Sequence, residues 1–303
     1  MTDIAEPAPA VGEVKIRVRA ASLNPIDWKI RAGHLRFVPM LRMPPRGIGC
    51  DFAGEIVGVG GGAISHHVGE RVFGSLAAFP RDGALAEYVV AAASRIASIP
   101  GNVSDEVAAA LPIAGGTALQ ALGDEARLGS GHRILITGAA GGVGHFAVQI
   151  AKQVGAHVVG VCSAGNVEFV RGLGADEVVD YAHDDFTRRD DKFDVVFDAA
   201  GASSFIAAQR VLTETGCYLN TGGDAAAAVG TAMGAVFARL TSRQRAIAIV
   251  VKANATLFER TAALAQQGAL HAHVERTIGM EEVANAMAAM ETGHGRGKIV
   301  VRV

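Results

Sequence analysis

The alternation of apolar and polar positions divides the chain into two parts of different texture. Val14 to Ala20 alternates in the manner of a half-buried strand. Short strands are also expected at Glu55–Val59, Arg71–Phe73 and Ala86–Val90, with glycine-rich turns between them. Asn24 to Ala32 reads as a loop and a short helix. Up to about Pro100 the pattern is one of short strands and turns, which predicts a small β-barrel-like module.

Beyond Pro100 helices enter. Ser104 to Leu111 predicts a helix capped by Ser104, with Asp105 and Glu106 in its first turn, and Thr117 to Ala126 predicts a second. From Arg133 strand and helix alternate. The strands are expected at Ile134–Thr137, Val158–Cys162, Glu177–Val179, Val195–Asp198, Tyr218–Asn220 and Ala246–Val251. Their continuous apolar runs suit a parallel sheet covered on both faces. Helices are expected at Val143–Val154, Val167–Leu173, Ser203–Leu212, Thr231–Arg245, Phe258–Gln267 and Met280–Thr292, before a last strand at Lys298–Arg302. The predicted class is α/β, a doubly wound Rossmann parallel sheet joined to a β-barrel domain. No internal repeat is visible.

Composition narrows the partners. Half of the 303 residues are hydrophobic and 19% are charged, which excludes disorder. With 28 basic and 30 acidic residues the net charge is -2, and no basic field recommends nucleic acid or an anionic membrane. Cys50, Cys162 and Cys217 are far apart, so neither a disulfide framework nor a four-cysteine zinc knot is expected. No apolar stretch reaches membrane-spanning length, about 20 residues. Met1 to Ala10 lacks the basic and apolar regions of a signal peptide, and a reducing cytoplasm is the expected location.

The main chemical signal is Ile134-Leu-Ile-Thr-Gly138-Ala-Ala-Gly141-Gly142-Val-Gly144. Ala139, Gly141 and Gly144 take the three small positions of the dinucleotide fingerprint. The turn must be tight, the backbone must approach a pyrophosphate, and the helix must lie close to the strand. Unpaired N–H groups and the helix dipole then favour phosphate. The same residues also read as a packing turn that binds nothing. At the end of the second strand an NAD site usually places a carboxylate on the ribose hydroxyls. Here Cys162 stands there, followed by Ser163, which favours NADPH over NADH. Cys162 also reads as a small buried apolar residue.

These motifs resemble a known family. Thr137-Gly-Ala-Ala-Gly-Gly-Val-Gly144 followed by Ala147-Val-Gln-Ile-Ala-Lys152 is similar to the quinone oxidoreductase branch of the medium-chain dehydrogenase/reductase superfamily. So are Ser22-Leu-Asn-Pro-Ile-Asp-Trp-Lys29, Leu173-Gly-Ala-Asp176 and Gly295-Arg-Gly-Lys298, and the likeness runs from about Pro7 to the C-terminus. The resemblance implies a GroES-like catalytic domain over 1–103, a Rossmann domain over 104–267, and a return to the catalytic domain over 268–303. It implies that Asn24 and Lys29 face nicotinamide and substrate, and that Thr117 touches the nicotinamide end. Gly138, Ala139, Ala140, Gly141, Gly142, Val143 and Gly144 form the cofactor turn, with Gly141, Gly142 and Val143 under the pyrophosphate. Ser163 and Tyr181 border the adenosine phosphate. Arg296 and Lys298 are not placed in the site. A homodimer is the expected assembly.

Three departures from the family pattern matter. Zinc-dependent relatives carry Cys and His-Glu ligands where this chain has Asn24 and Cys50-Asp51, so no zinc is expected. Relatives often carry Arg or Lys after the second strand, where this chain has Ala164-Gly165-Asn166. Relatives also begin earlier, with a β-hairpin that is missing here. That suggests an upstream start or a genuinely shorter module with an unpaired strand edge.

The expected activity is NADPH-dependent reduction of a quinone or α,β-unsaturated carbonyl. Without a Lewis acid the enzyme mainly positions its reactants, and Lys29 hydrogen-bonds the substrate oxygen as charge develops there. Lys29 reads equally as a solvated lysine beside Trp28, a packing residue, and Asp27 as a turn cap. The alternatives are an enoyl-thioester reductase and a non-catalytic NADPH sensor. His66-His67, the pair His271 and His273 (able to share a strand face), and the spaced Met280, Met287 and Met290 carry structural readings.

Overall fold

The computed structural model of the chain describes residues 3–33, 47–63, 65–76, 83–221, 230–231, 233–234, 236, 242–293 and 295–303. It divides into two compact units. One is Met1–Gly116 with Lys252–Gly268 and Ala272–Val303; the other is Thr117–Val251 with Ala269–His271.

The first unit is built on a seven-stranded sheet. Its strands are β1 (Glu13–Ser22), β2 (Asp51–Val59), β3 (Arg71–Ser75), β4 (Tyr88–Ala92), β5 (Ile96–Ser98), β12 (Val274–Ile278) and β13 (Lys298–Arg302). They run in the order β12-β13-β1-β2-β3-β5, and β4 pairs with β1. Alternation in β1 turns Val14, Ile16, Val18 and Ala20 inward, where they are at most 2% exposed. Phe52, Ile56, Val72 and Ile96 share that core. The expected unpaired edge does not fall on β1, which pairs with β2, β4 and β13. β5 and β12 were not read as strands. β5 is only three residues long, and β12 (Val-Glu-Arg-Thr-Ile) is largely exposed. His271 and His273 precede β12, so they share no strand face.

Helix α1 (Pro25–Arg31) follows β1. Helix α2 (Asp105–Ala110) begins where Ser104 accepts from the Val107 amide. Arg71 clamps Asp105 at 2.6 Å, and Ala108, Ala109 and Ala110 are fully buried. Helix α3 (Pro112–Leu119) starts before the expected Thr117 and continues as a wider turn over Gln120–Glu125.

The second unit is a six-stranded parallel sheet. Its strands are β6 (Arg133–Thr137), β7 (His157–Cys162), β8 (Glu177–Asp180), β9 (Phe193–Asp198), β10 (Leu212–Asn220) and β11 (Arg245–Ala248). Their order, β11-β10-β9-β6-β7-β8, is that of the doubly wound fold, with the chain reversing direction between β6 and β9. Among its helices are α4 (Gly144–Gln153), α5 (Val167–Gly172) and α6 (Phe205–Ala208). The helix expected over Ser203–Leu212 is shorter, because β10 already begins at Leu212. Of the helix expected at Thr231–Arg245, residues 231, 233, 234 and 236 are helical, residues 232, 235 and 237–241 lie outside the described residues, and Arg245 itself opens β11.

Helices α7 (Ala255–Gln266) and α8 (Val283–Glu291) follow. The sequence reading assigned residues 104–267 to the dinucleotide-binding part. In the structure 104–116 and 252–268 belong to the first unit. The cause is apolar packing, such as Phe258 of α7 against Phe73 of β3 at 6.0 Å between ring centroids. Met287 of α8 is buried with Leu23, Ile278, Ile299 and Val301, and Met280 and Met290 pack on that cluster, as does Trp28. The described residues contain no helix long and apolar enough to cross a membrane.

Candidate functional site

The glycine-rich segment forms the turn between β6 and α4, at the C-terminal edge of the parallel sheet and beside the reversal of strand order. Open α/β sheets bind ligands at this kind of place. Two glycines there are sterically required. Gly138 has φ +60°, which L side chains rarely adopt. A Cβ on Gly144 would stand 2.0 Å from the Gly138 carbonyl oxygen, so only glycine lets α4 come this close. Ala139 and Ala140 are buried, whereas Gly141, Gly142 and Val143 are partly exposed. The Gly141 carbonyl accepts from the His145 amide at 3.0 Å and lies 2.9 Å from His145 Nδ1, which fixes the bend. The amides of Gly142 and Val143 meet no acceptor among the described residues. Partly exposed, unpaired N–H groups at a helix N-terminus are what an anion requires.

Asp198, at the end of β9, braces this edge. It is fully buried and accepts from Thr137 Oγ1 at 2.5 Å, Ser203 N at 2.9 Å, Ala202 N at 3.0 Å, Tyr218 Oη at 2.9 Å and Asn220 Nδ2 at 3.3 Å. One carboxylate therefore joins the ends of β6, β9 and β10. Burial, then the Asp198 charge, pushes the Tyr218 phenol above its ordinary pKa. Sequence reading saw Asp198 only as the last residue of a strand. Its signal was a carboxylate closing an apolar run before Ala-Ala-Gly201.

Ser163 and Tyr181 lie at the same edge, one residue past β7 and β8, and the Tyr181 amide donates to the Cys162 carbonyl at 3.2 Å. Ser163 Oγ accepts from Asn166 at 3.2 Å, and Tyr181 is 56% exposed. No carboxylate ends β7, but Asp180 of β8 pairs in register with Cys162. Burial, then Asp180, raises the Cys162 thiol to about 11. Thr117 is buried in α3 and belongs to this unit. The structure thus gathers the turn, Ser163 and Tyr181 along one sheet edge.

Asn24 and Lys29 belong to the first unit. Asn24 caps α1, where its amide N–H donates to Asp27 Oδ2 at 2.7 Å. Its side chain is buried and engaged at both ends: Oδ1 accepts from Lys298 Nζ at 2.6 Å, and Nδ2 donates to Asp51 Oδ2 at 2.9 Å. That engagement leaves little of Asn24 for a substrate, contrary to the expectation that it faces one. Lys29, in the last turn of α1, is partly exposed, with its ammonium 5.7 Å from the Trp28 ring centroid.

Lys298, set aside in the sequence reading, is 3% exposed and also donates to the Leu23 carbonyl at 2.8 Å. Asp51 further accepts from the Ile113 amide in the first turn of α3, at 3.2 Å. The Cys50 thiol donates to Asp27 Oδ1 at 3.5 Å. Burial, partly offset by the Asn24 amide and reinforced by Asp51, raises Asp27 from 3.8 to about 7. Burial raises Asp51 against the pull of Lys298, and lowers Lys298 against the pull of Asp51 and Asp27. The only sequence signal for Lys298 was its place at the head of the apolar run Ile-Val-Val.

Comparison with known proteins agrees with this architecture. Residues 10–101 match the alcohol dehydrogenase GroES-like domain, and residues 173–301 match a family described as zinc-binding dehydrogenase. The chain is 36% identical over 309 residues to a chloroplast envelope quinone oxidoreductase homolog of Arabidopsis thaliana, covering 97% of this chain and 91% of that protein. It is 32% identical to a 2-methylene-furan-3-one reductase of Solanum lycopersicum, covering 99% of this chain and 74% of the relative. The quinone oxidoreductase structure from Coxiella burnetii superposes with a TM-score of 0.91 at 33% identity, over 100% of this chain and 94% of the other. A GroES-like unit and a Rossmann-like unit in one chain define an oxidoreductase. The chain belongs to the quinone oxidoreductases of the medium-chain dehydrogenase/reductase superfamily.

The zinc of the family description does not fit the residues present. A catalytic zinc takes three protein ligands from Cys, His and carboxylate in tetrahedral array. Here Cys50, Asp27 and Asp51 come with no histidine, and the neighbouring Lys298 ammonium donates to Asn24 Oδ1, whose Nδ2 donates in turn to Asp51. Among the described residues no group of three or more His, Cys, Asp and Glu has metal-holding geometry.

Proposed function

We propose that this oxidoreductase is a nicotinamide-dependent, zinc-independent reductase of quinones and α,β-unsaturated carbonyls that prefers NADPH. The observation that carries the reading is the pair of unpartnered, partly exposed amides of Gly142 and Val143 at the start of α4. A dinucleotide diphosphate matches them in charge and in hydrogen-bonding sense. A bound reduced nicotinamide supplies a hydride equivalent. Gly138 to Gly144 hold the diphosphate, Thr117 borders the nicotinamide end, and Ser163 and Tyr181 border the adenosine end. The preference for NADPH rests on Cys162 and Ser163 standing where a ribose-binding carboxylate would repel a 2′-phosphate.

Lys29 is the proposed electrophile: its ammonium donates a hydrogen bond to the substrate oxygen as negative charge accumulates. Asn24 acts through the helix rather than on the substrate, because its amide N–H, donating to Asp27 Oδ2, fixes the start of the helix that carries Lys29. The small polarised substrates named for the relatives suit a site that works by orientation. All three cysteines are free and buried, which suits a reducing compartment.

The test is a turnover panel in which NADPH and NADH are each offered with quinones, enones and an enoyl thioester. Oxidation of NADPH by a quinone or enone, reduced at least tenfold in Lys29→Ala, is the expected result. Reaction with the thioester alone would shift the assignment to acyl-chain reduction. Dinucleotide binding without turnover on any acceptor would make the protein a sensor.

A further inference from the structure

One buried side chain grips the glycine turn. His145, the second residue of α4, is 0% exposed, and its ring centroid lies 3.9 Å from that of Phe146. Its Nδ1 stands 2.9 Å from the Gly141 carbonyl oxygen, which the His145 amide also meets, at 3.0 Å. A carbonyl has no hydrogen to give, so Nδ1 carries the proton and donates. The Gly141 oxygen thus takes two hydrogen bonds from one buried residue. The peptide bond from Gly141 to Gly142 is trans and planar, so its N–H points opposite to its C=O. Gripping the carbonyl therefore sets the direction of the Gly142 amide, which meets no acceptor among the described residues although Gly142 is partly exposed. This peptide is also free to turn over. It lies between two glycines, and its rotation changes only the ψ of Gly141 and the φ of Gly142, which no Cβ opposes. Turned over, it would offer a carbonyl oxygen where an anion needs a donor.

We infer that the His145 side chain is a positioning residue that locks the 141–142 peptide, so that the turn presents an N–H, not a carbonyl, to the diphosphate. The inference rests on the dinucleotide reading of the turn and adds the residue that fixes its polarity. The bond from the His145 amide does not suffice alone, because it belongs to the first turn of α4, where helices fray. The imidazole adds a second bond from a side chain that core packing holds in place. An apolar side chain of similar bulk fills the same space, but only one with a donor at that atom keeps the lock. Asparagine qualifies, because its Nδ2 hangs from Cγ as the imidazole Nδ1 does. Leucine and phenylalanine do not.

His145→Asn, His145→Leu and His145→Phe separate the lock from packing. The readouts are NADPH affinity by titration and the orientation of the 141–142 peptide in crystal structures grown without cofactor. His145→Leu and His145→Phe should weaken NADPH binding about tenfold, with the peptide turned over or in two orientations. His145→Asn fills the core less well, yet it should bind NADPH within about threefold of the wild type and keep the peptide in place. Wild-type affinity in a folded apolar variant would overturn the inference. So would a His145→Asn that binds as weakly as the apolar variants, or an apolar variant whose peptide keeps the wild-type orientation. If one apolar variant does not fold, the other carries the test; failure of both would make the imidazole a packing residue and end the inference. A wild-type chain that binds no dinucleotide would sink the dinucleotide reading instead, and the peptide orientation in the variants would still judge the lock.

Discussion

The two units handle buried polarity in opposite ways. At the edge of the parallel sheet the Asp198 carboxylate is met by five neutral donors, and the turn nearby presents backbone amides fixed by glycine geometry. In the GroES-like unit two carboxylates, a thiol and an ammonium are buried together, and one carboxylate oxygen remains unmatched. The first arrangement is satisfied by hydrogen bonds and is insensitive to which dipoles supply them. The second balances whole charges, so its energy depends on protonation and on each partner being present.

The sharpest way to break this contrast is at Gly144. In Gly144→Val the new side chain collides with the Gly138 carbonyl and displaces the turn, and NADPH affinity should fall at least a hundredfold, about 3 kcal/mol. Fluorescence titration checks it; near-wild-type affinity would show that the turn is not the cradle. Next in size is Asp198→Ala, which strands several buried donors. Urea unfolding should show a loss of about 3 kcal/mol, and a loss within error would mean that the brace is redundant.

Asp27 sharpens the other side of the contrast. Its native pKa of about 7 lies above its ordinary 3.8. The native state therefore holds a proton that the unfolded chain has released, and this contribution is complete below about pH 4. It is lost as pH rises through 7, by at most about 1.4 kcal/mol per pH unit. In Asp27→Asn that slope should vanish, so the variant gains on the wild type with rising pH. Parallel pH profiles of the two proteins from urea unfolding would refute the assignment. The smallest effect is expected at Ala164→Arg, an exposed position just past β7, beside Gly165, where a Cβ meets nothing within 4 Å. A cation there should raise the NADPH-to-NADH affinity ratio about tenfold, measured by paired titrations, and an unchanged ratio would place the 2′-phosphate elsewhere.

The same contrast explains what the sequence made legible. The turn is contiguous: strand, glycines and helix occupy one short stretch, and each glycine answers a local steric demand, so the motif could be read directly. The parallel strands were readable for a similar reason, since continuous apolar runs carry their own signal. The Lys298–Asn24–Asp51 cluster is not contiguous. Its hydrogen bonds span sequence separations of 274 and 27 residues, and nothing local distinguishes Lys298 from a lysine that begins an exposed strand. Asp198 was hidden likewise, because its donors come from the ends of β6 and β10 as well as from the loop at Ala202 and Ser203. The placement of α7 depended on Phe258 meeting Phe73, a tertiary fact that periodicity does not encode.

Whether the Gly138–Gly144 turn cradles a dinucleotide is decided by calorimetric titration of NADPH and NADH into the folded wild-type chain, with Gly144→Val as control. Saturable one-to-one binding, tighter for NADPH and absent in a folded Gly144→Val, is the predicted result. A natively folded wild-type chain that takes up neither dinucleotide would contradict it.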